Sequence, residues 1–448
     1  MSQQQDSAPS RSWGLLGLLM AQAAMVHFNR VSISVVGSEL FIREGTLTES
    51  EMGRVYTAYL VVYTLLMLPG GLLIDRFGPW KALLGMGLGS CLLVPLTGLA
   101  GLLPGLALLP SLLLIRSLLG GVTPPMHPGA ARAVSMWFPP RQQGLANSLV
   151  TGTAVLGMVI SPVLFGKLMD LVGWRQAFAV AGAVTAVVTL AWALFARQRS
   201  IPQPHSASDP TDHHLASPAS GDQRASAPAS RSAAPAARDE TSPWKLLAHP
   251  GLLLLTLGYA CYSYYQYLFF YWAENYFLKE LKFPTEKARW ATSLTLFAMA
   301  AGMLLGGVLI DRARRIWRGD WGRIIVPLVG MTLSAVFAIL AVAQASEVGS
   351  LTCLCLSMGM LGVCEAPFWV TGVDFGRRWG GTTGALLNTI GNAGGLLAPL
   401  FTPMIAEKLG WTGALQVAGV ICFLGALCWL GVRMEERPRR TEGRGRQP

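Results

Sequence analysis

GGLLIDR, at residues 70–76, returns as GGVLIDR at 306–312, and the reading of that echo decides the fold. A second pair, GMVISPVLFGKLMDLVGW at 157–174 and GGLLAPLFTPMIAEKLGW at 394–411, recurs at an offset only one residue larger. Both pairs run in the same sense, so the chain is a tandem repeat. Between the copies lies a stretch rich in Pro, Ala and Ser, from IPQPHSASDP at 201 to SAAPAARDE at 232–240. Almost free of large apolar residues, it cannot bury a core and reads as a flexible linker. The expected division is a tail at 1–12, one half at 13–196, the linker at 197–249, a second half at 250–433 and a basic tail at 434–448. His213 and His214 in the linker are too isolated to read as a metal site.

Each half is apolar. Of 448 residues, 52% are hydrophobic and 13% charged, against about 25% charged in soluble proteins, so the solvent is lipid. Runs of roughly 20 apolar residues, long enough to span a bilayer, fall near 13–41, 52–75, 80–102, 105–136, 141–169 and 174–196. A second set follows near 250–279, 285–312, 322–343, 349–377, 380–407 and 411–433. An all-α polytopic protein of about twelve helices is expected, in two bundles of six. Arg11 and Ala21-Gln22-Ala23 imitate a secretory signal, yet the apolar run resumes at once, so no cleavage is expected.

The net charge of +11 would suit nucleic acid, but its placement argues otherwise. Arg76, Lys81, Arg132, Arg141, Arg197, Arg312, Arg314, Arg315, Arg323, Arg377 and Arg433 all fall at connections on one side of such a bundle. The other side carries Glu39, Glu44, Glu347 and balanced pairs such as Lys279 with Glu280. By the positive-inside rule both termini and the linker are cytoplasmic, in an inner or plasma membrane. No nucleic-acid partner is implied. The seven cysteines lie inside apolar segments with no disulfide or zinc spacing.

A parallel repeat of six helices is the arrangement of the major facilitator architecture, whose binding site lies between the halves near mid-membrane. GLLIDRFGPWK at 71–81 resembles the loop between helices 2 and 3 of that superfamily, with Gly71, Asp75, Arg76, Gly78 and Lys81 at its key places. A carboxylate at Asp75 can meet the positive N-terminus of a neighbouring helix and an arginine such as Arg141. Such a contact would latch the cytoplasmic side. Gly71 would permit close helix approach. The second copy keeps Asp311 and Arg312 and then departs from the pattern, so a weaker latch is expected there. The alternative is that these charges only mark topology.

MVHFNRVSIS, at 25–34, puts an arginine inside an apolar run, at an insertion cost of about 2.5–3.5 kcal/mol. HFNRVSISVVGSEL at 27–40, RSLLGGVTPPMHPGAARAVSMWFPPRQQGLANS at 116–148 and YQYLFFYWAENYF at 265–277 resemble the anion:cation symporter family of that superfamily. That family carries sugar acids, phthalate, tartrate, glutamate and sialic acid. The resemblance implies that Arg30 and Arg116 hold an anion; guanidinium forks stay charged when desolvated and grip carboxylates bidentately. The alternative is that each arginine neutralises an internal acid. Where the family has proton-coupling acids this chain has Asn29 and Thr123, and where it has a tyrosine, His27.

Glu365, in MLGVCEAPFW, aligns with Thr123 across the repeat and is a candidate for the missing protonatable group; otherwise it is a packing acid held by a hydroxyl. His27 shares a helix face with Arg30 and titrates near neutrality unless shifted, which makes it a candidate for ligand contact or proton coupling, or a satisfied core histidine. His127, among prolines, reads as structural. Tyr63 and Trp369 match cavity positions of the family, and Asn388 and Asn392 could add amide contacts. Most tyrosines of helix 7 should merely pack.

The expectation is therefore a secondary active transporter of a small organic anion, driven by protons and working as a monomer by alternating access. Loss of the two acids leaves open an uncoupled facilitator or exchanger, and a non-transporting receptor is the reading from another class. No metal cluster, nucleophile elbow or phosphate loop is present in the sequence, so neither an enzyme nor a cofactor is expected.

Overall fold

A computed structural model describes residues 10–102, 107–196, 249–317, 319–376 and 380–433. The expected linker and both tails lie almost wholly outside these residues. Helix α1 (Ser10–Val36) continues through a π-helical turn, Gly37–Phe41; α2 (Glu49–Leu65), α3 (Met67–Gly98), α4 (Leu108–Val122), α5 (Met126–Trp137), α6 (Pro140–Val172) and α7 (Trp174–Ala196) complete the first half. The second half comprises α8 (Pro250–Lys279), α9 (Thr285–Ile316), α10 (Trp321–Ala343), α11 (Glu347–Val363), α12 (Glu365–Gly376) and α13 (Gly380–Cys428).

Among the described residues these elements make twelve passes, because α3 turns at Gly78 and α13 at Gly410, while α2 with the first part of α3, α4 with α5, and α11 with α12 are single passes broken in the middle. Their limits follow the apolar runs of the sequence closely. Among the described residues eight helical stretches are long and apolar enough to cross a bilayer by composition alone, the stretch Thr382–Gly431 being one of them. Helices α1 and α8 fall outside that set because they carry the polar side chains of the centre.

The repeat is legible in the backbone. Gly173 and Gly410, which precede Trp174 and Trp411, both adopt positive φ, 80° and 73°, a conformation only glycine enters without strain. Gly70 and Gly306, the first glycine of each echoed motif, each pack on the broken pass of their own half. A Cβ at Gly70 would crowd Pro124, and one at Gly306 would strike the Val363 carbonyl. Gly71, expected to mediate close approach, meets nothing; the neighbouring glycine performs that role.

Small residues let the helices approach to backbone contact, the usual substitute for a hydrophobic drive in lipid. Gly157 of α6 lies on the Ala24 carbonyl of α1, Gly120 of α4 on the Tyr59 carbonyl of α2, and Gly362 of α11 on the Met299 carbonyl of α9. Thr48 and Glu51 close a capping box at the start of α2. Across the halves α6 meets α9, α2 meets α13, and α1 meets α8.

Gly157→Ala should therefore lower stability by about 1–3 kcal/mol through overpacking. Gly17→Ala, whose Cβ has open space, should not. Thermal unfolding of the two variants in detergent checks the pair.

Candidate functional site

Arg30 lies past the midpoint of α1, 6% exposed, where α2 and α8 converge on it. Its Nε donates to the Tyr271 hydroxyl at 3.1 Å. The guanidinium carbon stands 4.9 Å from the ring centre of Tyr267, 5.6 Å from Tyr63 and 5.7 Å from Tyr59. These rings come from i, i+4 pairs, Tyr59 with Tyr63 and Tyr267 with Tyr271, each on one helix face. Buried Nη2 has no hydrogen-bond partner among the described residues, and Arg30 forms no ion pair there. A desolvated cation held by aromatic faces and one hydroxyl, with a donor left over, has the chemistry to accept an anionic group.

Arg116 is placed differently. It is 1% exposed and donates to the backbone carbonyls of Asn29 and Arg30, at 3.2 and 2.7 Å, so its fork clamps α4 to α1 directly behind Arg30. The Tyr59 ring lies 5.2 Å from it. Asn29 turns away from Arg30 toward α7, donating to Thr185 Oγ1 at 3.0 Å. Thr123 sits at the break between α4 and α5, and its hydroxyl lies 2.9 Å from that of Tyr59.

Glu365 occupies the matching break of the second half, between α11 and α12. One carboxylate oxygen accepts from the Tyr259 hydroxyl and the Trp369 indole, both at 2.9 Å, while the other is buried without a partner among the described residues. Asn392 Oδ1 accepts from the Tyr267 hydroxyl at 2.8 Å, and its Nδ2 donates to Asn388 Oδ1 at 3.0 Å. The amides thus steady the ring that lies nearest Arg30. Gly391 and Gly395 of α13 supply the flat floor beneath Tyr259 and Tyr267; a Cβ at either would enter the ring. Among the expected residues, His27 is the one whose partner is another imidazole. Its Nε2 stands 3.4 Å from His127 Nε2, and its Nδ1 is 3.2 Å from the Ala23 carbonyl.

Tyr271 and Tyr59 did not stand out among so many aromatics; their i, i+4 spacing with Tyr267 and Tyr63 was the available signal. Nor did Arg289, near the start of α9. It binds Glu39 through Nε and Nη2 at 2.5 and 2.6 Å, and Asp170 through both Nη atoms, joining the end of α1 to α6 and α9. Lys279 pairs across the halves with Glu49 at 2.5 Å rather than with Glu280, and Asn275 and Trp411 bond the same carboxylate at 3.0 Å. These contacts shut the end opposite the basic connections. At the basic end Asp75, Arg76 and Lys81 are exposed, Gly78 forms the turn, and Asp75 has no hydrogen bond or ion pair among the described residues. The contact expected from Asp75 to Arg141 is not formed in this conformation. In the second copy Asp311 and Arg312 are likewise exposed, and it is Arg314 that pairs with Asp374.

Arg116→Leu strips two buried carbonyls of their donors and should cost about 1–3 kcal/mol of stability. Arg30→Leu releases a single hydrogen bond and relieves a buried charge, so its melting temperature should equal or exceed that of the wild type. Unfolding curves without added solute separate these roles.

A sequence model of the Major Facilitator Superfamily matches residues 12–399 and 320–448. A probable sulfoacetate transporter of Cupriavidus necator is 30% identical over 418 residues, an alignment covering 93% of this chain and 92% of that protein. A probable galactarate/D-glucarate transporter of Escherichia coli is 24% identical, with 94% and 93% covered. Among solved structures, a bacterial homologue of the human lysosomal transporter Spinster, in an inward-facing and occupied conformation, superposes with a TM-score of 0.73 at 17% identity, over 95% of this chain and 97% of that one.

Proposed function

The chain belongs to the Major Facilitator Superfamily, and from that premise we propose that it carries a small organic anion, a carboxylate or sulfonate, across the membrane by alternating access. The observation that carries this reading is Arg30, a buried guanidinium with no acid beside it and one nitrogen unbonded among the described residues. Two relatives named for the transport of anions, a sulfoacetate and a pair of sugar diacids, support it. In this reading Arg30 binds the anionic group, Tyr63, Tyr267 and Tyr271 wall it, and Asn388 with Asn392 meets the remainder of the solute. Arg116 positions Arg30 rather than touching the ligand.

The basic connections mark the cytoplasmic side, so the conformation in hand is closed toward the outside. Asp75, with Arg76, Gly78 and Lys81, is the latch of the other conformation. Coupling is assigned to Glu365, the acid at the centre with an unbonded oxygen, and His27 lies close enough to Arg30 to feel the ligand's charge. Asn29 bonded to Thr185, and Thr123 to Tyr59, leave no acid next to Arg30, which favours uncoupled facilitation as the second reading.

Sulfoacetate, galactarate and simple carboxylates should raise the melting temperature of wild-type protein and not that of Arg30→Ala. Stabilisation by neutral or cationic solutes alone would refute the anion reading. In proteoliposomes, an inward acid gradient should accelerate wild-type uptake and leave Glu365→Gln unaffected; an identical response in both removes Glu365 from coupling.

A further inference from the structure

Glu274 lies near the outer end of α8, 3% exposed, and neither of its carboxyl oxygens has a hydrogen-bond donor among the described residues. It faces Glu39, which is equally buried on the π-helical turn Gly37–Phe41 of the other half, the turn that packs against α8. Glu39 is itself buried and fully engaged by Arg289. Arg289 divides its remaining bonds onto Asp170 of α6 and makes no hydrogen bond to Glu274. The other ionisable groups around Glu274 are Tyr56 of α2, whose ring stacks on Tyr271 at 5.0 Å, and Tyr271 one turn back on α8. Asn275 and Lys279, on the following turns, are turned to Glu49.

Two carboxylates in contact away from water cannot both stay ionised, and one cation does not serve three acids equally. A single proton resolves the conflict, because a carboxylic acid can donate its O–H to the oxygen of the adjacent carboxylate. We propose that Glu274 is a proton-binding site of the outer gate: a proton from the outer solution is held between Glu274 and Glu39 when the gate is shut and is released to that solution when the halves part. Only an O–H bond to the carboxylate forms and breaks. Glu274 belongs to the second half and Glu39 to the first, so separation removes the second carboxylate from the first and admits water to both. The protonated pair thus joins the halves, and ionised Glu274 drives them apart. Since the shut state holds the extra proton, acid favours closure and alkali favours opening.

This site stands apart from Arg30 and does not rest on the identity of the solute. The test reads distance without any solute, so it can fail while the anion reading stands, and the reverse. Spin labels on genetically encoded keto amino acids at positions 46 and 286, both exposed and on opposite halves of the outer rim, leave the native cysteines in place. Distances measured from about pH 5 to about pH 9 should shift from a short to a long population, by up to about tenfold in ratio per pH unit, the limit for one linked proton. Glu274→Gln, and Glu274→Met as a second non-ionisable variant, should stay short throughout. Lys279→Met, which removes the contact to Glu49 at the same rim and leaves Glu274, Glu39 and Arg289 in place, should open more at every pH and still titrate. A wild-type distribution that ignores pH, or a Glu274→Gln variant that titrates like the wild type, overturns the proposal.

Discussion

A guanidinium at the centre of a lipid-facing bundle imposes most of what surrounds it. Arg30 cannot shed its charge, and lipid offers no water to solvate it, so the protein must supply aromatic faces, hydroxyls and a polar interior. Tyr59, Tyr63 and Tyr267 provide the faces and Tyr271 the hydroxyl, Arg116 fixes the backbone that carries the arginine, and glycines of α13 make room for the rings. The protein stops short of supplying a counter-ion among the described residues. In the proposed reading that gap receives the charge of the solute, at the place where a structural ion pair would put a carboxylate.

The same electrostatics are used in the opposite way at the end away from the basic connections. There Glu39, Asp170 and Arg289 meet in direct contact, and Glu49 gathers Lys279, Asn275 and Trp411, so each acid ties one half to the other. At the basic end the motif charges stand exposed. In the proposed reading, a molecule that is bonded at one end and unlatched at the other is one conformation of a two-state rocker. A buried pair whose partners sit on different halves, as Glu39 and Arg289 do, is suited to this use: its net stabilisation is modest, yet breaking it is expensive until water enters.

Much of the fold was legible because lipid enforces it. Twelve apolar runs and the echo of GGLLIDR marked the passes and the repeat in the sequence alone. Helix limits followed, since an apolar run in a bilayer has no alternative to a helix. The site was legible only in its charges. Arg30 stood out by cost and Glu365 by its place in the repeat, and both sit at the centre of the molecule. What the sequence hid was direction: Asn29 adjoins Arg30 in the chain and yet turns to α7, Arg116 faces backbone, and Gly70 rather than Gly71 makes the close contact. Contacts such as Glu39 to Arg289, 250 residues apart, depend on how two bundles meet, and no local pattern encodes that.

Solute counterflow bears most directly on the central claim, since exchange of labelled for unlabelled solute needs alternating access and anion recognition but no proton coupling. Proteoliposomes loaded with an unlabelled organic anion should transiently accumulate the same labelled anion from outside, while vesicles holding the Arg30→Ala variant should not. Equal accumulation by the two, or counterflow of neutral solutes alone, would contradict an anion site built on Arg30.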